Sequence, residues 1–430
     1  MSTCKGLHVQ VVLRGLTVGS ALACVFGLTQ CKGEFTGPYP CETGYASCLN
    51  PDNNQCETVL LTDATHCGDC SKACAIGAVC VDGHCGQAAE KLTDLSGSST
   101  SEPFAQLSGN YVYYSVINAG SNSIYRASKS TGSAIETVAS NLQSCGTVVP
   151  FAADANAIYY WTYNYQTSCT GGGTCNATGI ATTTNTLATS LHWPAAQDAT
   201  GQCPFAFAVT SSSVYFLGSL NNGLTLDSAP LNGSSINTIA TPGAAGWNAG
   251  LCGLWTDDKR ALFTGSSNGQ ATLYQVILSS GKTTEFSSAL DNQPFGISAF
   301  AADNNNVYVA RSGCSCDSYG SEILPSGTIS RFNWDGTASA ELARYSGYTS
   351  GMTIDGDFVY WATDTTVWKV PKAGGPTTQL AGNLSNGATP QLCSGCGMAT
   401  YSYLSIAVDS TSVYVVDTWS GVNALLKVAK

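Results

Sequence analysis

Asp355-Gly356-Asp357-Phe358-Val359-Tyr360 and Asp409-Ser410-Thr411-Ser412-Val413-Tyr414 are two copies of one phrase: a polar turn residue, three intervening residues, then an aliphatic residue followed by an aromatic one. Five further copies precede them. They run from Ser108 to Val112-Tyr113, Asp154 to Ile158-Tyr159, Thr210 to Val214-Tyr215, Asp257 to Ala261-Leu262 and Asp303 to Val307-Tyr308, the copy at Asp257 being degenerate. Successive copies start 46, 56, 47, 46, 52 and 54 residues apart, a period that in an all-β chain means a propeller or a related array.

Short apolar runs such as Phe205 to Val209 and Leu404 to Val408 stand before the polar residue, long enough for a buried strand and too short for a helix. Asp154, Asp257, Asp303, Asp355 and Asp409 are then turn formers, their carboxylates accepting from backbone N–H groups just downstream. The Val-Tyr run is a second strand. A third alternates apolar with polar residues, as in Ile124-Tyr125-Arg126-Ala127, Leu273-Tyr274-Gln275-Val276, Val367-Trp368-Lys369-Val370 and Leu425-Leu426-Lys427-Val428. Hairpin pairs follow it at Thr131-Gly132, Asn232-Gly233, Ser280-Gly281, Asp335-Gly336 and Gly374-Gly375, supplying the positive φ angles that primed turns need. A Thr/Ile/Leu-rich fourth strand completes each blade.

The seventh repeat stops at Lys430 after its third strand, and the stretch 89–95 resembles the other fourth strands, so it is expected to complete that blade and close the ring. The fold class is an all-β, seven-bladed β-propeller, with six or eight blades only if the degenerate copy is misread, preceded by a small disulfide-rich module. The domains are a signal peptide over 1–30, a tether over 31–40, a cysteine-rich module over 41–85, and a propeller over 86–430 closed by strand 89–95. A β-sandwich or β-helix would have to produce two phrases in the same order seven times by accident.

Charged residues make up 10% of the chain, well below the roughly 25% usual for soluble domains. Net charge is −11, and without Lys5 and Arg14 of the leader it becomes 15 minus 28, or −13. Nucleic acid is thereby disfavoured as a partner. Lys5 and Arg14 precede an uncharged apolar stretch from Gly15 to Leu28, shorter than the ~20 residues of a membrane span and arranged as an export signal. Two routes stay open. Ala21-Leu22-Ala23 fits ordinary cleavage but would leave Val25 to Leu28 exposed. Leu28-Thr29-Gln30-Cys31 resembles a bacterial lipobox, departing from it at Gln30, which implies lipidation at Cys31; the polar Lys32-Gly33-Glu34 directly after it favours that route. The protein is expected to be exported, as an outer-membrane or cell-surface lipoprotein or in secreted form, touching a membrane only through such an anchor.

Cys41, Cys48, Cys56, Cys67, Cys70, Cys74, Cys80 and Cys85 fall in a segment too small to fold on apolar burial alone. In an exported chain they read as a disulfide framework of up to four bridges with open connectivity. The run from Asp63 to Cys74, followed by Cys80 and Val81-Asp82-Gly83-His84-Cys85, resembles the stigma-specific cysteine-rich family and modules ahead of propellers in exported proteins of myxobacteria. That resemblance implies an extracellular module and no activity. A zinc site from Cys67, Cys70, His66 and His84 is the weaker reading.

Propeller strands alternate in direction, so the one-to-two turns and three-to-four hairpins share one face and are short in every copy. The two-to-three loops and inter-blade connections share the other face, where the repeats disagree, with enlarged loops at 162–178 and 311–327. All nine propeller cysteines map there. Cys169, Cys175, Cys314 and Cys316 fall in loops and Cys145, Cys203, Cys252, Cys393 and Cys396 in connections, with Cys169 and Cys175 the nearest pair for a disulfide. A thiolate metal site from Cys314, Cys316, Cys393 and Cys396 is disfavoured by export. Trp193, Trp247, Arg311, Asp317, Tyr319, Asp364 and Trp419 are the candidate ligand-binding residues of this face, against the alternative that each packs between blades.

Ser-His-Asp chemistry needs a histidine, and the propeller has only His192, beside Trp193 and Pro194 at a strand end. Paired carboxylates for glycoside chemistry are conceivable, but five aspartates recur as turn residues, as a structural role requires. No phosphate-cradling loop, dinucleotide fingerprint or histidine cluster occurs, so no cofactor or metal is called for. Val359-Tyr360-Trp361-Ala362-Thr363-Asp364 resembles the Tyr-Trp-Thr-Asp repeats of receptor propellers, with an inserted Ala. Those propellers are six-bladed and bind proteins, so the resemblance implies binding. The chain is read as a monomeric, non-catalytic propeller recognising an extracellular protein or glycan. The alternatives are an exported polysaccharide lyase or glycosidase and, third, a structural envelope protein.

Overall fold

Each Val-Tyr run is apolar at consecutive positions rather than alternate ones, which requires a strand buried on both faces. A computed structural model shows how that is met. It describes residues 45–46, 48, 58–76, 78–81, 83–86, 89–95, 104–118, 121–142, 151–163, 177–194, 206–220, 223–231, 235–241, 253–267, 270–286, 296–316, 322–337, 340–346, 349–363, 366–382, 384, 404–417 and 424–430.

Seven antiparallel four-stranded sheets follow one another. Blade 1 is Phe104–Ser108, Tyr111–Asn118, Ser121–Ser128 and Glu136–Leu142, and blade 2 is Phe151–Ala153, Ala157–Tyr163, Ala177–Thr184 and Thr189–Pro194. Blade 3 is Ala206–Val209, Ser213–Leu220, Gly223–Pro230 and Asn237–Ala240, and blade 4 is Leu254–Thr256, Arg260–Ser267, Gln270–Ile277 and Lys282–Glu285. Blade 5 is Gly296–Ala302, Asn306–Cys316, Glu322–Asn333 and Ala340–Ser346, and blade 6 is Thr349–Ile354, Phe358–Thr363, Val367–Pro371 and Thr378–Ala381. Blade 7 is Leu404–Val408, Ser412–Asp417 and Ala424–Ala429, completed by Glu90–Asp94 from the N-terminal side of blade 1. Leu425 pairs with Thr93 and Lys427 with Glu90 across that closure. The first strand of blade 7 lies against that of blade 1, so the ring is closed.

The apolar core is divided among seven interfaces. Val359 and Trp361 face blade 5 with Tyr308, Ala310 and Ile329, whereas Tyr360 and Ala362 face blade 7 with Val413 and Val415. The period-two geometry of a strand puts alternate residues of one Val-Tyr run into two different cores. Throughout the ring the tyrosine of that run points to the following blade: Tyr113 to blade 2, Tyr159 to blade 3, Tyr308 to blade 6 and Tyr414 to blade 1.

Blade 5 departs from the expected loop over 311–327. Its second and third strands continue outward as a hairpin, pairing Ser312 with Gly327 and Cys316 with Glu322, so Arg311, Cys314 and Cys316 lie in a strand. Backbone pairing is satisfied further along the ladder there, which an unpaired loop would forgo.

Ahead of the propeller, Cys48–Cys70, Cys67–Cys80 and Cys74–Cys85 are disulfide-bonded, with Cα separations of 5.1, 5.6 and 5.4 Å. Among the described residues, the apolar cluster of this module is Ala64, Cys67, Cys74, Ala78 and Cys80. The pairing removes Cys67 and Cys70 as zinc ligands, since a metal needs the free thiolate. Cys41, Cys56, Cys169 and Cys175 lie outside the described residues, as do the leader and Cys31.

Leu92 of the closing strand is 1% exposed, between Tyr414 and Leu425 of blade 7 and Val112 of blade 1. Leu92→Ala is expected to lower unfolding free energy by about 2–4 kcal/mol. Lys91→Ala beside it, on an exposed ion pair with Asp94, should change it by less than about 1 kcal/mol. Urea denaturation of the two variants measures the difference.

Candidate functional site

Two faces offer candidate sites, and their residues are spent differently. On the turn face, each recurrent aspartate is engaged on both carboxylate oxygens. Asp355 Oδ1 accepts from the N–H groups of Asp357 (2.9 Å) and Phe358 (2.8 Å), closing the turn, while Oδ2 accepts from Tyr360 Oη (2.7 Å). Asp154, Asp303 and Asp409 repeat both arrangements, with Tyr159, Tyr308 and Tyr414. Asp257, where leucine replaces the tyrosine, takes its own Arg260 instead.

Three of these carboxylates also receive a cation from the next blade. Lys372 Nζ of blade 6 reaches Asp303 Oδ2 of blade 5 at 2.7 Å, Lys430 Nζ of blade 7 reaches Asp355 Oδ2 of blade 6 at 2.6 Å, and Lys129 Nζ of blade 1 reaches Asp409 Oδ2 of blade 7 at 3.1 Å. In each case the ammonium also stands 5.3–5.6 Å from the centre of the tyrosine ring, within cation–π range. Each lysine sits just past a third strand, and its backbone N–H closes the adjacent turn: Lys372 donates to Asp357 O and Lys430 to Thr411 O.

The other interfaces place different residues at the lysine position. Between blades 1 and 2 it is Asn185, whose Oδ1 accepts from Tyr113 Oη (2.7 Å) and Ser108 Oγ (3.1 Å), while Arg126 Nη1 donates to Asn185 O at 2.5 Å. Between blades 2 and 3 it is Leu231, packed against the core that holds Tyr159, and between blades 3 and 4 it is Leu278. Between blades 4 and 5 the Trp334 ring lies 3.5 Å from the Arg260 guanidinium carbon. Ionic latches therefore occupy the three consecutive interfaces around the closing blade, and apolar ones sit across the ring.

Burial would raise the Asp355 carboxyl, but the Lys430 ammonium, the Tyr360 hydroxyl and the two turn N–H groups outweigh it and hold it well below the usual carboxylate range. Asp303 and Asp409 are lowered against the same burial cost, by Lys372 with its turn N–H groups and by the Thr411 N–H with Lys129 and Tyr414. Burial and the neighbouring carboxylate push the Tyr308 hydroxyl up to about 12, and Tyr360 and Tyr414 are raised for the same reasons.

The loop face is where binding residues were expected. Trp193 belongs to the end of the fourth strand of blade 2, paired with Ile180. Trp247, Asp317, Tyr319, Asp364 and Trp419 lie outside the described residues. Arg311, expected in an exposed loop, is in the second strand of blade 5 and 5% exposed, and its carbonyl accepts from Tyr345 Oη at 2.8 Å. Strand extension has carried it into the blade.

Counting eight residues on from each turn residue gives Val116, Thr162, Gly218, Gly265, Arg311, Thr363 and Asp417, on the second strands running toward the loop face. Thr363 and Asp417 are 2% and 1% exposed. Blades 5, 6 and 7 thus carry a buried cation, a hydroxyl and a carboxylate at one repeat position, while the other blades have no charge there. A further buried carboxylate, Asp227, accepts from Thr225 and Thr238 hydroxyls at 2.6 Å each, and burial raises it. Among the described residues, Cys67, Cys74 and Cys85 are the one grouping with metal-ligand spacing, and their sulfurs are held in disulfides.

Sequence reasoning missed Lys129, Asn185, Lys372 and Lys430. The lysines' signal was in plain view, as the residue two places after the third-strand phrase in Arg126-Ala127-Ser128-Lys129, Lys369-Val370-Pro371-Lys372 and Lys427-Val428-Ala429-Lys430.

No family model and no curated protein matches this sequence. Among solved structures, it is similar to hydrazine synthase of Kuenenia stuttgartiensis at 11% identity over 79% of this chain and 97% of that one, with a TM-score of 0.49. It is similar to TolB of Acinetobacter baumannii at 11% over 78% and 65%, with a TM-score of 0.37. It also spans 40% of the extracellular domain of a hybrid two-component system from B. thetaiotaomicron, at 9% identity over 79% of this chain and a TM-score of 0.46. Identities this low transfer nothing that those proteins bind or do.

The depressed carboxyls contribute stability that is present above their unfolded value of about 4 and is lost as pH falls through the folded values. The raised tyrosines contribute stability that is present below about pH 10 and is lost as pH climbs toward their folded values. Melting temperature is therefore expected to be flat between about pH 5 and 9 and to fall on both sides. Lys372→Met leaves Asp303 without its cation and is expected to cost about 1–2 kcal/mol at pH 7, the loss shrinking once pH drops below about 3. Thermal melts of wild type and variant across pH measure both effects.

Proposed function

We propose that this chain is a non-catalytic, exported propeller that recognises an extracellular protein or glycan through its loop face. The observation that carries the reading is the division of labour between the faces. The aspartates, tyrosines and lysines of the turn face are engaged in closing turns and joining blades, while the repeats diverge in sequence and length at the other face. A rigid scaffold under variable loops is the usual platform for recognition.

Lyase or glycosidase chemistry would need paired carboxylates converging on one cleft. The recurrent aspartates are instead each tied to their own turn. The disulfide-bonded module and its likeness to the stigma-specific family support an extracellular setting, with either a lipid anchor at Cys31 or free secretion.

Incubating the intact chain with immobilised polysaccharides and purified envelope proteins tests the proposal. Retention without turnover is the expected result, and release of sugar products or new unsaturated ends would overturn it. Lys372→Met, which alters a latch of the turn face, is expected to leave retention unchanged.

A further inference from the structure

The cysteine-rich module does more than precede the propeller, because it lies against the seam where the ring closes. Cys41–Lys430 forms one compact unit. Ile76, inside the loop bridged by Cys74–Cys85, packs with Ala89 against the core shared by blades 6 and 7, which contains Ala381, Leu384, Val413, Leu426 and Val428. At the end of the outer strand of blade 6, a Cβ on Gly382 would meet Ala78 O at 3.0 Å and Ala64 Cβ at 3.3 Å, so the module's own core residues rest on that strand. From Cys85 the chain needs only five residues to reach Glu90, the first residue of the closing strand.

We infer that the module is a disulfide-dependent clasp on the propeller's closure, so that the oxidation state of Cys74–Cys85 sets how firmly Glu90–Asp94 is held in blade 7. Each link is physical. Among the described residues the module's core is two alanines and three cysteines, and a segment of this size depends on its bridges to stay folded. The folded module, seated on Gly382 and Leu384, presents the closing strand to Ala424–Ala429 at high effective concentration. When a dithiol reductant attacks the bridge, the Cys74–Cys85 S–S bond breaks, two cysteine thiols form, and the reductant leaves as its own disulfide. The module then loses its shape and its seat, and Glu90–Asp94 becomes a strand on a loose tether. The device would keep the ring locked in an oxidising exterior and let its seam breathe where thiols are reduced.

Hydrogen–deuterium exchange on the intact chain tests this, with Cys74→Ser/Cys85→Ser as the reduced state and Gly382→Val as an unseated module with its bridges intact. Amides of Glu90–Asp94 and Ala424–Ala429 are expected to exchange at least about tenfold faster in both variants, while Gly223–Pro230 and Gln270–Ile277 across the ring keep wild-type rates. Wild-type exchange in the closing blade of either variant would overturn the inference, and so would equal loosening of all blades. Should the cysteine variant fail to fold, the oxidised Gly382→Val protein decides the question by itself.

Discussion

The structure depends on one constraint: the second strand of each blade must be buried on both faces, yet in blades 2, 5, 6 and 7 its tyrosine ends in a hydroxyl that is costly to leave dry and unpaired. The aspartate five residues upstream resolves this. One carboxylate oxygen closes the turn and the other accepts the tyrosine hydroxyl, so the group that starts the strand also satisfies it. A carboxylate in that position carries a negative charge into a half-buried site, and at Asp303, Asp355 and Asp409 the lysine from the following blade neutralises it. Turn, strand and blade-to-blade contact are therefore coupled through two oxygen atoms.

That coupling is not spread evenly. Between blades 2 and 3 and between blades 3 and 4 the lysine position is apolar and packs into the interface core. Around blade 7 the ring is closed non-covalently, by a strand from the other end of the propeller, and there the ionic latches appear on both sides. Hydrophobic contact is non-directional and tolerates sliding, whereas an ammonium held by a carboxylate and a ring face fixes position. Two of the three latches thus flank the blade that closes the ring, and the third, Lys372 to Asp303, joins the neighbouring pair. The disulfide module rests on the same seam.

The repeat phrase was legible because it encodes a local pattern, strand, turn and strand, that the backbone must form within a dozen residues. The closing strand was legible too, since a blade with three strands leaves an edge that only an unused strand can cover. The latches were not. Lys372 and Asp303 are 69 residues apart and Lys430 and Asp355 are 75 apart, so no local reading joins them even though each lysine recurs at a fixed offset. Arg311 was misplaced for a related reason: a hairpin that extends beyond its blade and a loop have the same polar, cysteine- and glycine-bearing composition, and only cross-strand pairing distinguishes them.

Sequence alone determined the all-β class, the seven-fold repeat, the identity of the turn residues and the source of the missing strand, because each follows from periodicity and from the need to satisfy a sheet edge. Tertiary structure alone decided which blade each alternate side chain enters, which lysine neutralises which aspartate, and which cysteines are joined. It also placed Arg311 inside a blade rather than on an exposed loop. Those outcomes depend on distances between residues far apart in the chain, and a linear pattern specifies what a residue can bond to but not what the closing of a ring brings within its reach.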